Sequence, residues 1–175
     1  MASTSTNSTD SKDSAPRGGD AGRLSPEARL LEVEAIRQLK ARYFRFLDGK
    51  RWSEWGDLFT EDAVLDTTDD AADAVVHGRE AIVARVSQAL EGALTVHHGH
   101  MPEIELTGEG RARAIWSMED YLEFPGDPPA LIIHGRGHYH EEYLKGPDRR
   151  WRIHSLKLRR LWLQHNGKRV LPGSA

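Results

Sequence analysis

The chain has 175 residues, no cysteine and a formal net charge of −3. This length accommodates one domain with a core, and the absence of cysteine excludes disulfides, thiol nucleophiles and cysteine-ligated zinc. The near-even charge argues against a nucleic-acid-binding protein, which carries a basic face. No apolar run approaches the roughly 18 residues that span a bilayer, and the N-terminus lacks a signal-peptide core, so we expect a cytoplasmic protein without a membrane partner.

Composition divides the chain into three segments. Residues 1–23 are rich in Ser, Thr, Asp and Gly and nearly free of large apolar side chains, which predicts a disordered tail. Residues 24–164 carry the periodic apolar patterns of a folded domain. Residues 165–175 read as a shorter C-terminal tail.

A long first helix is predicted from Ser25 onward. Ser25 is a favourable N-cap and Pro26 suits the first helical position. Apolar side chains recur at helical spacing, and Gly49 is a natural residue just past the end, so Asp48 closes the helix. A second, short helix is predicted in "WSEWGDLFT", a strand in "AVLDT", and a third helix in "GREAIVARVSQAL".

From residue 95 the pattern changes to four long β segments. They cover residues 95–107, 111–124, 131–145 and 150–163, joined by the turn sequences "TGEG", "PGDPP" and "KGPDRR". Three helices followed by long strands predict an α+β fold, in which a curved mixed or antiparallel sheet wraps over the N-terminal helices.

The segment "HHGH" concentrates three histidines in four positions. Alternation along a strand places His98 and His100 on one face and His97 on the other. One interpretation is proton transfer by His98, which requires a carboxylate to orient the ring, and Asp48 is the candidate. Asp48 could equally cap the second helix. The other interpretation is a metal site, which needs three or four converging ligands.

A second histidine-rich stretch, "HGRGHYHEEY", has the same alternating arrangement. His138 and His140 share a face, but Glu141 follows the second histidine at once. In metal-binding cupins several residues separate the second histidine from the glutamate, so the resemblance to their motif is superficial. The roles of these two histidines, of His97 and of His134 stay open at this stage.

Two further polar residues lie where they could line a pocket. Tyr43 precedes Asp48 by five residues, about 140° round an ideal helix, so helical geometry alone does not bring the two together. Asp120 ends an apolar row of alternating strand residues that includes Trp116 and Met118. An acidic group there either lines a cavity or marks where the row meets water.

The order of these segments resembles the SnoaL-like superfamily, whose fold is the cone of nuclear transport factor 2. The resemblance rests on "AIRQLKARYFRFLDGKRWSEWGDLFTEDAVLD", "HGREAI", "HHGHMPEIEL" and "GHYHEEYLKGPDRRWRIHSLKLRRLW", and covers residues 28–163. Scytalone dehydratase, bile-acid dehydratases, a hexachlorocyclohexane dehydrochlorinase, ketosteroid isomerase, limonene epoxide hydrolase and polyketide cyclases share the fold. Other relatives have no known activity or a structural role only.

The dehydratase and dehydrochlorinase branch is the most similar, and it implies a set of site residues. In that branch an Asp after the first helix pairs with a His on the first long strand, which implies Asp48 and His98 here. The catalytic Tyr of bile-acid dehydratases matches Tyr43. Their acidic residue on the following strand corresponds approximately to Asp120. This sequence departs from scytalone dehydratase in having Leu47 where that enzyme has a Tyr before its Asp.

The resemblance and the residue patterns together predict a lyase that needs neither cofactor nor metal. His98 would be the general base, Asp48 its orienting carboxylate and Tyr43 a hydrogen-bond donor, acting on a small hydrophobic, polycyclic or aromatic substrate. The predicted substrate-binding residues are Trp55, Phe59, His100, Trp116, Met118, Asp120 and Tyr139. The alternatives are a double-bond isomerase or cyclase, or a non-catalytic ligand-binding or assembly module.

A homodimer or homotrimer is also predicted. In "RIHSLKLRR" basic residues alternate with apolar ones, and the open side of a curved sheet is a common place for a subunit to pack.

Overall fold

The computed structural model describes residues 24–126 and 131–170. The helices are α1 (Pro26–Asp48), α2 (Trp52–Gly56) and α3 (Arg79–Ala89). The strands are β1 (Phe59–Asp66), β2 (Val75–His77), β3 (Leu94–Gly108), β4 (Arg111–Glu123), β5 (Ile132–Lys145), β6 (Trp151–His165) and β7 (Lys168–Val170). The predicted α+β class is confirmed. Within these ranges no helix combines the length and apolar character that crossing a bilayer requires.

Helix α1 begins and ends near the predicted residues. The Ser25 hydroxyl accepts a hydrogen bond from the Ala28 backbone N–H at 3.2 Å, and Pro26 occupies the first position. After Asp48 the chain turns sharply. The left-handed backbone there belongs to Lys50, with φ 54°, whereas Gly49 has φ −78°. This turn leaves the Asp48 carboxylate at the end of the helix, against β3.

The sheet is mixed and has the order β2-β1-β6-β5-β4-β3, with β7 paired to β6. Strands β1 and β6 run parallel, whereas all other neighbouring pairs are antiparallel. Its inner face packs on α1 and on the end of α2, and the largest fully buried side chains include Ile36, Leu39, Trp55, Phe59 and Tyr143. The predicted cone of sheet over helices is therefore present.

The C-terminal boundary needs correction. Strand β6 continues to His165, and β7 pairs with it through Leu163 and Val170, so the fold extends at least to Val170 rather than ending at 164. Three-residue strands such as β7 and β2 are too short to show alternation, so neither could be predicted from the residue pattern. The predicted tail of residues 1–23 lies outside the described residues.

Candidate active site

Strand β3 presents alternate residues to the interior. The residues that face inward are those predicted to face outward. Thr95 and His97 are buried, whereas Val96 and His98 are exposed. The predictions that His98 and His100 face the pocket are therefore wrong. Alternation fixes which residues share a face but not which face is inside. Gly99 determines which face of β3 is inside. A Cβ at Gly99 would lie 2.7 Å from the Phe44 ring of α1, so the face that contains this glycine is the one that fits against the helix.

His97, rather than His98, pairs with Asp48. His97 Nδ1 lies 2.6 Å from Asp48 Oδ1, and the His97 backbone N–H donates to Asp48 Oδ2 at 3.0 Å. The Thr95 hydroxyl donates to Oδ1 at 3.0 Å, and it accepts from Lys50 Nζ at 2.7 Å. Because a carboxylate can only accept here, Nδ1 carries the proton and Nε2 is the imidazole nitrogen left with a lone pair.

The contacts of Asp48 keep its carboxylate ionised. Partial burial works to raise the pKa of Asp48, but the side-chain and backbone hydrogen bonds from His97 and the hydrogen bond from Thr95 outweigh burial and hold that pKa below its usual value. The His97 side chain is 8% exposed and that of Asp48 24%. The pair therefore lies at the edge of the interior, where solvent screens it only in part.

Asp120 lies beside His97 on the inner face. The two residues are direct cross-strand partners, and Asp120 pairs in turn with Gly135 on β5. Arg160 Nη1 donates to Asp120 Oδ2 at 2.8 Å, whereas Asp120 Oδ1 is buried without a hydrogen-bond partner among the described residues. Directly opposed side chains on one face are about 5 Å apart at Cβ. The unpartnered Oδ1 lies over Gly135, since a Cβ at that glycine would be 2.4 Å from it.

Arg160 was not predicted from the sequence as a site residue. It is held by Asp70 at 2.7 and 3.1 Å as well as by Asp120. Burial would lower the pKa of Arg160, but the Asp70 hydrogen bond and both carboxylate charges raise it, so the guanidinium stays charged. The sequence feature that could have indicated this site is the pair of glycines Gly135 and Gly137 on β5. A side chain at Gly135 would collide with Arg160 and Asp120, and one at Gly137 with the β6 backbone.

Aromatic rings line the space between α1 and the sheet. Tyr43 packs against Phe44, Trp55, Phe59 and Tyr139 with ring centroids 5.4–6.4 Å apart. Burial, followed by nearby carboxylates including Asp48 and Asp120, raises the pKa of the Tyr43 hydroxyl, which stays protonated. No hydrogen bond to a described residue engages the hydroxyls of Tyr43 or Tyr139.

The remaining predicted pocket residues belong to the inner wall. Trp55 and Phe59 are fully buried with ring centroids 4.8 Å apart, and Trp116 Nε1 donates to the Tyr143 hydroxyl at 2.9 Å. Met118 is buried next to Arg160, with its sulfur 3.6 Å from Nη1. These side chains give the interior its apolar character.

The other strand histidines lie away from this interior. His98 and His100 form one pair on the outer sheet face, with ring centroids 5.8 Å apart, and His138 and His140 form another at 6.4 Å. His134 pairs with Glu119 at 2.7 Å. Among residues 24–126 and 131–170, no three His, Asp or Glu side chains converge as a metal site requires.

Lys40 and Glu141 form a fully buried ion pair deeper in the cone, with both side chains 0% exposed. The Tyr143 hydroxyl also donates to Glu141, and the Lys40 ammonium lies 3.9 Å from the ring centroid of Tyr43 and 4.1 Å from that of Tyr139. Burial lowers the pKa of Lys40, while the Glu141 charge opposes that shift. Both site tyrosines are thus packed against a buried cation.

Comparison with known proteins gives one family and many similar folds. The model of the SnoaL-like domain family matches residues 28–157. A candidate scytalone dehydratase from Novosphingobium aromaticivorans is 21% identical; the alignment covers 86% of this chain and 98% of that one, with a TM-score of 0.73. A hexachlorocyclohexane dehydrochlorinase is 17% identical, with 86% and 100% covered and a TM-score of 0.70.

A third solved structure has no known function. This protein from Mycobacterium tuberculosis is 24% identical, with 79% of this chain and 78% of that one covered, and a TM-score of 0.65. At these identities the similarity establishes a shared fold, and activity has to be argued from the site itself.

Proposed function

Because this chain belongs to the SnoaL-like domain family, and because His97 and Asp48 pair beside an aromatic interior, we propose that it is a dehydratase-type lyase. Its substrate would be a small hydrophobic molecule, polycyclic or aromatic, with a hydroxyl group β to a carbonyl. The observation that carries the proposal is the 2.6 Å contact between His97 Nδ1 and Asp48 Oδ1. It leaves Nε2 as a base beside groups that bind polar substrate atoms.

In the proposed reaction His97 Nε2 removes a proton from the carbon next to the carbonyl. The electrons of that C–H bond form the carbon–carbon double bond, and the C–O bond to the β-hydroxyl breaks. The imidazolium returns its proton to the departing oxygen, so water leaves and His97 is neutral again. Asp48 accepts a hydrogen bond from His97 Nδ1 throughout, which keeps a proton on that nitrogen, and it stabilises the imidazolium.

Three other groups support this chemistry. The Tyr43 hydroxyl, kept protonated by its raised pKa, donates a hydrogen bond to the substrate carbonyl as negative charge develops there. The unpartnered Oδ1 of Asp120 accepts from the substrate hydroxyl. The rings of Tyr139 and Phe44, 6.2 Å apart, bind the apolar body.

A substrate screen tests the proposal. Aromatic and polycyclic β-hydroxy carbonyl compounds are incubated with the full chain, and the conjugated product is followed by ultraviolet absorbance. In deuterated water, NMR detects proton abstraction from carbon even if the hydroxyl is retained. Loss of the hydroxyl with release of water distinguishes a lyase from a double-bond isomerase.

The matched variants are His97→Gln and His98→Gln, neighbours on one strand with opposite orientation. General base catalysis contributes about 10²–10⁴-fold, so His97→Gln is expected to lose that much kcat/KM, and His98→Gln less than about two-fold. Equal losses in both, or none in His97→Gln, would refute the mechanism. Binding of these compounds without exchange or product would favour a ligand-binding module.

A further inference from the structure

A cavity lies between α1 and the turn that joins β5 to β6. Its volume is about 720 Å³, and its walls include Leu39, Arg42, Arg149, Arg150 and Arg152. It borders the start of β6, whereas His97 and Asp120 lie towards the other end of the sheet. We refer to this cavity as the arginine groove.

The charge of the arginine groove is opposite in sign to that of the whole chain. Four arginines and two acids line it, although the chain carries a net charge of −3. Arg152 is neutralised by Asp148 at 2.7 and 3.0 Å. Within residues 24–126 and 131–170, Arg42, Arg149 and Arg150 form no ion pair with a carboxylate. A concave surface with an excess of guanidinium groups over carboxylates focuses positive potential and attracts anions.

Arg149 occupies a backbone conformation that an arginine ordinarily avoids. Its φ is 62°, in the left-handed region where glycine is favoured. In this turn the Gly146 N–H donates to the Arg150 carbonyl and the Arg149 N–H to the Gly146 carbonyl, both at 2.9 Å. A left-handed residue is usual at the end of a short hairpin loop, and Asn166 has the same conformation before β7. The turn thereby places Arg149 in the wall of the groove.

We infer that the arginine groove binds a small molecule through a phosphate or diphosphate group. The planar guanidinium fork matches phosphate oxygens with two parallel hydrogen bonds, so arginine is the residue suited to this anion. The volume is in the range of small-molecule sites, and Leu39 and Trp151 in the wall provide an apolar base for the rest of the ligand. The inference is independent of the reaction proposed for His97.

Calorimetric titration of the full chain with sodium pyrophosphate, with sulfate as comparison, tests the inference. Pyrophosphate should bind at least ten times more tightly than sulfate. Arg42→Gln and Arg150→Gln should each weaken it about five- to ten-fold. The matched control is Arg85→Gln, which removes the same charge from an exposed position on α3 and should change affinity less than two-fold.

Arg149→Gly separates binding from folding. It relieves the left-handed strain, so the melting temperature should stay the same or rise by up to about 2 °C, while pyrophosphate affinity falls about five- to ten-fold. Equal affinity for sulfate and pyrophosphate, or an equal loss in Arg85→Gln, would overturn the inference. Retention on anionic lipid vesicles without pyrophosphate binding would also overturn it.

Discussion

His97 Nδ1 and Asp48 Oδ1 lie 2.6 Å apart, although 49 positions separate the two residues in the chain. The contact exists because α1 ends at Asp48 and the inward face of β3 passes directly beneath that end. A backbone N–H and the Thr95 hydroxyl also donate to this carboxylate. The Asp48 carboxylate therefore has a fixed orientation before any substrate binds.

Thr95→Val should raise the pKa of Asp48. The Thr95 hydroxyl donates to the ionised carboxylate and so favours the charged form, and its loss makes protonation easier. Carboxyl-carbon NMR titration of Asp48 measures the change. Thr107→Val is the control, since Thr107 is an exposed residue of the same strand. An unchanged Asp48 titration in Thr95→Val would show that this hydrogen bond is absent in solution.

Lys40→Met should destabilise the fold by about 3–5 kcal/mol, because it leaves the Glu141 carboxylate buried without its cation. Chemical denaturation gives the free energy of unfolding. Lys40→Met/Glu141→Gln should be more stable than Lys40→Met, since the second change removes the isolated charge.

The control for that experiment is Arg113→Gln. It breaks the exposed Arg113–Glu105 pair, whose side chains are 66% and 58% exposed, and should cost less than about 1 kcal/mol. If Lys40→Met were no more harmful than Arg113→Gln, the buried pair would not exist as described.

Gly135→Ala should displace Arg160 from Asp120. A methyl group at Gly135 would collide with both side chains, and overpacking of this kind costs about 1–3 kcal/mol. Gly108→Ala is the matched control, because a Cβ at Gly108 meets nothing within 4 Å. Thermal melts of both variants make the comparison. Equal melting temperatures would mean that Arg160 can leave without cost, and that it does not help shape the site.

The sequence predicted the class of fold and the position of Asp48 because both follow from local signals. Ser25, Pro26 and the helical spacing define α1, and the four long β segments define most of the sheet. The choice between His97 and His98 could not be made locally. It depends on which side of β3 meets α1, and that is decided by the fit of Phe44 against Gly99.

Local sequence patterns also could not predict which side chains distant in the chain pair with each other. Arg160 belongs to a stretch predicted to be a basic surface, but it turns inward at a register shift between β5 and β6 and pairs with Asp120. Lys157 and Arg159 of the same stretch pair with Asp66 and Asp69. The predicted homodimer or homotrimer stays a prediction, which light scattering at micromolar concentration can check.

The most direct test of the central claim is nitrogen-15 NMR of the histidine rings at neutral pH. Long-range correlations should show His97 protonated at Nδ1 and unprotonated at Nε2, with a hydrogen-bonded Nδ1 proton shifted downfield. That proton signal should vanish in His97→Gln and in Asp48→Asn and persist in His98→Gln. A signal that persists in His97→Gln and vanishes in His98→Gln would contradict the assignment of His97 as the base that Asp48 orients.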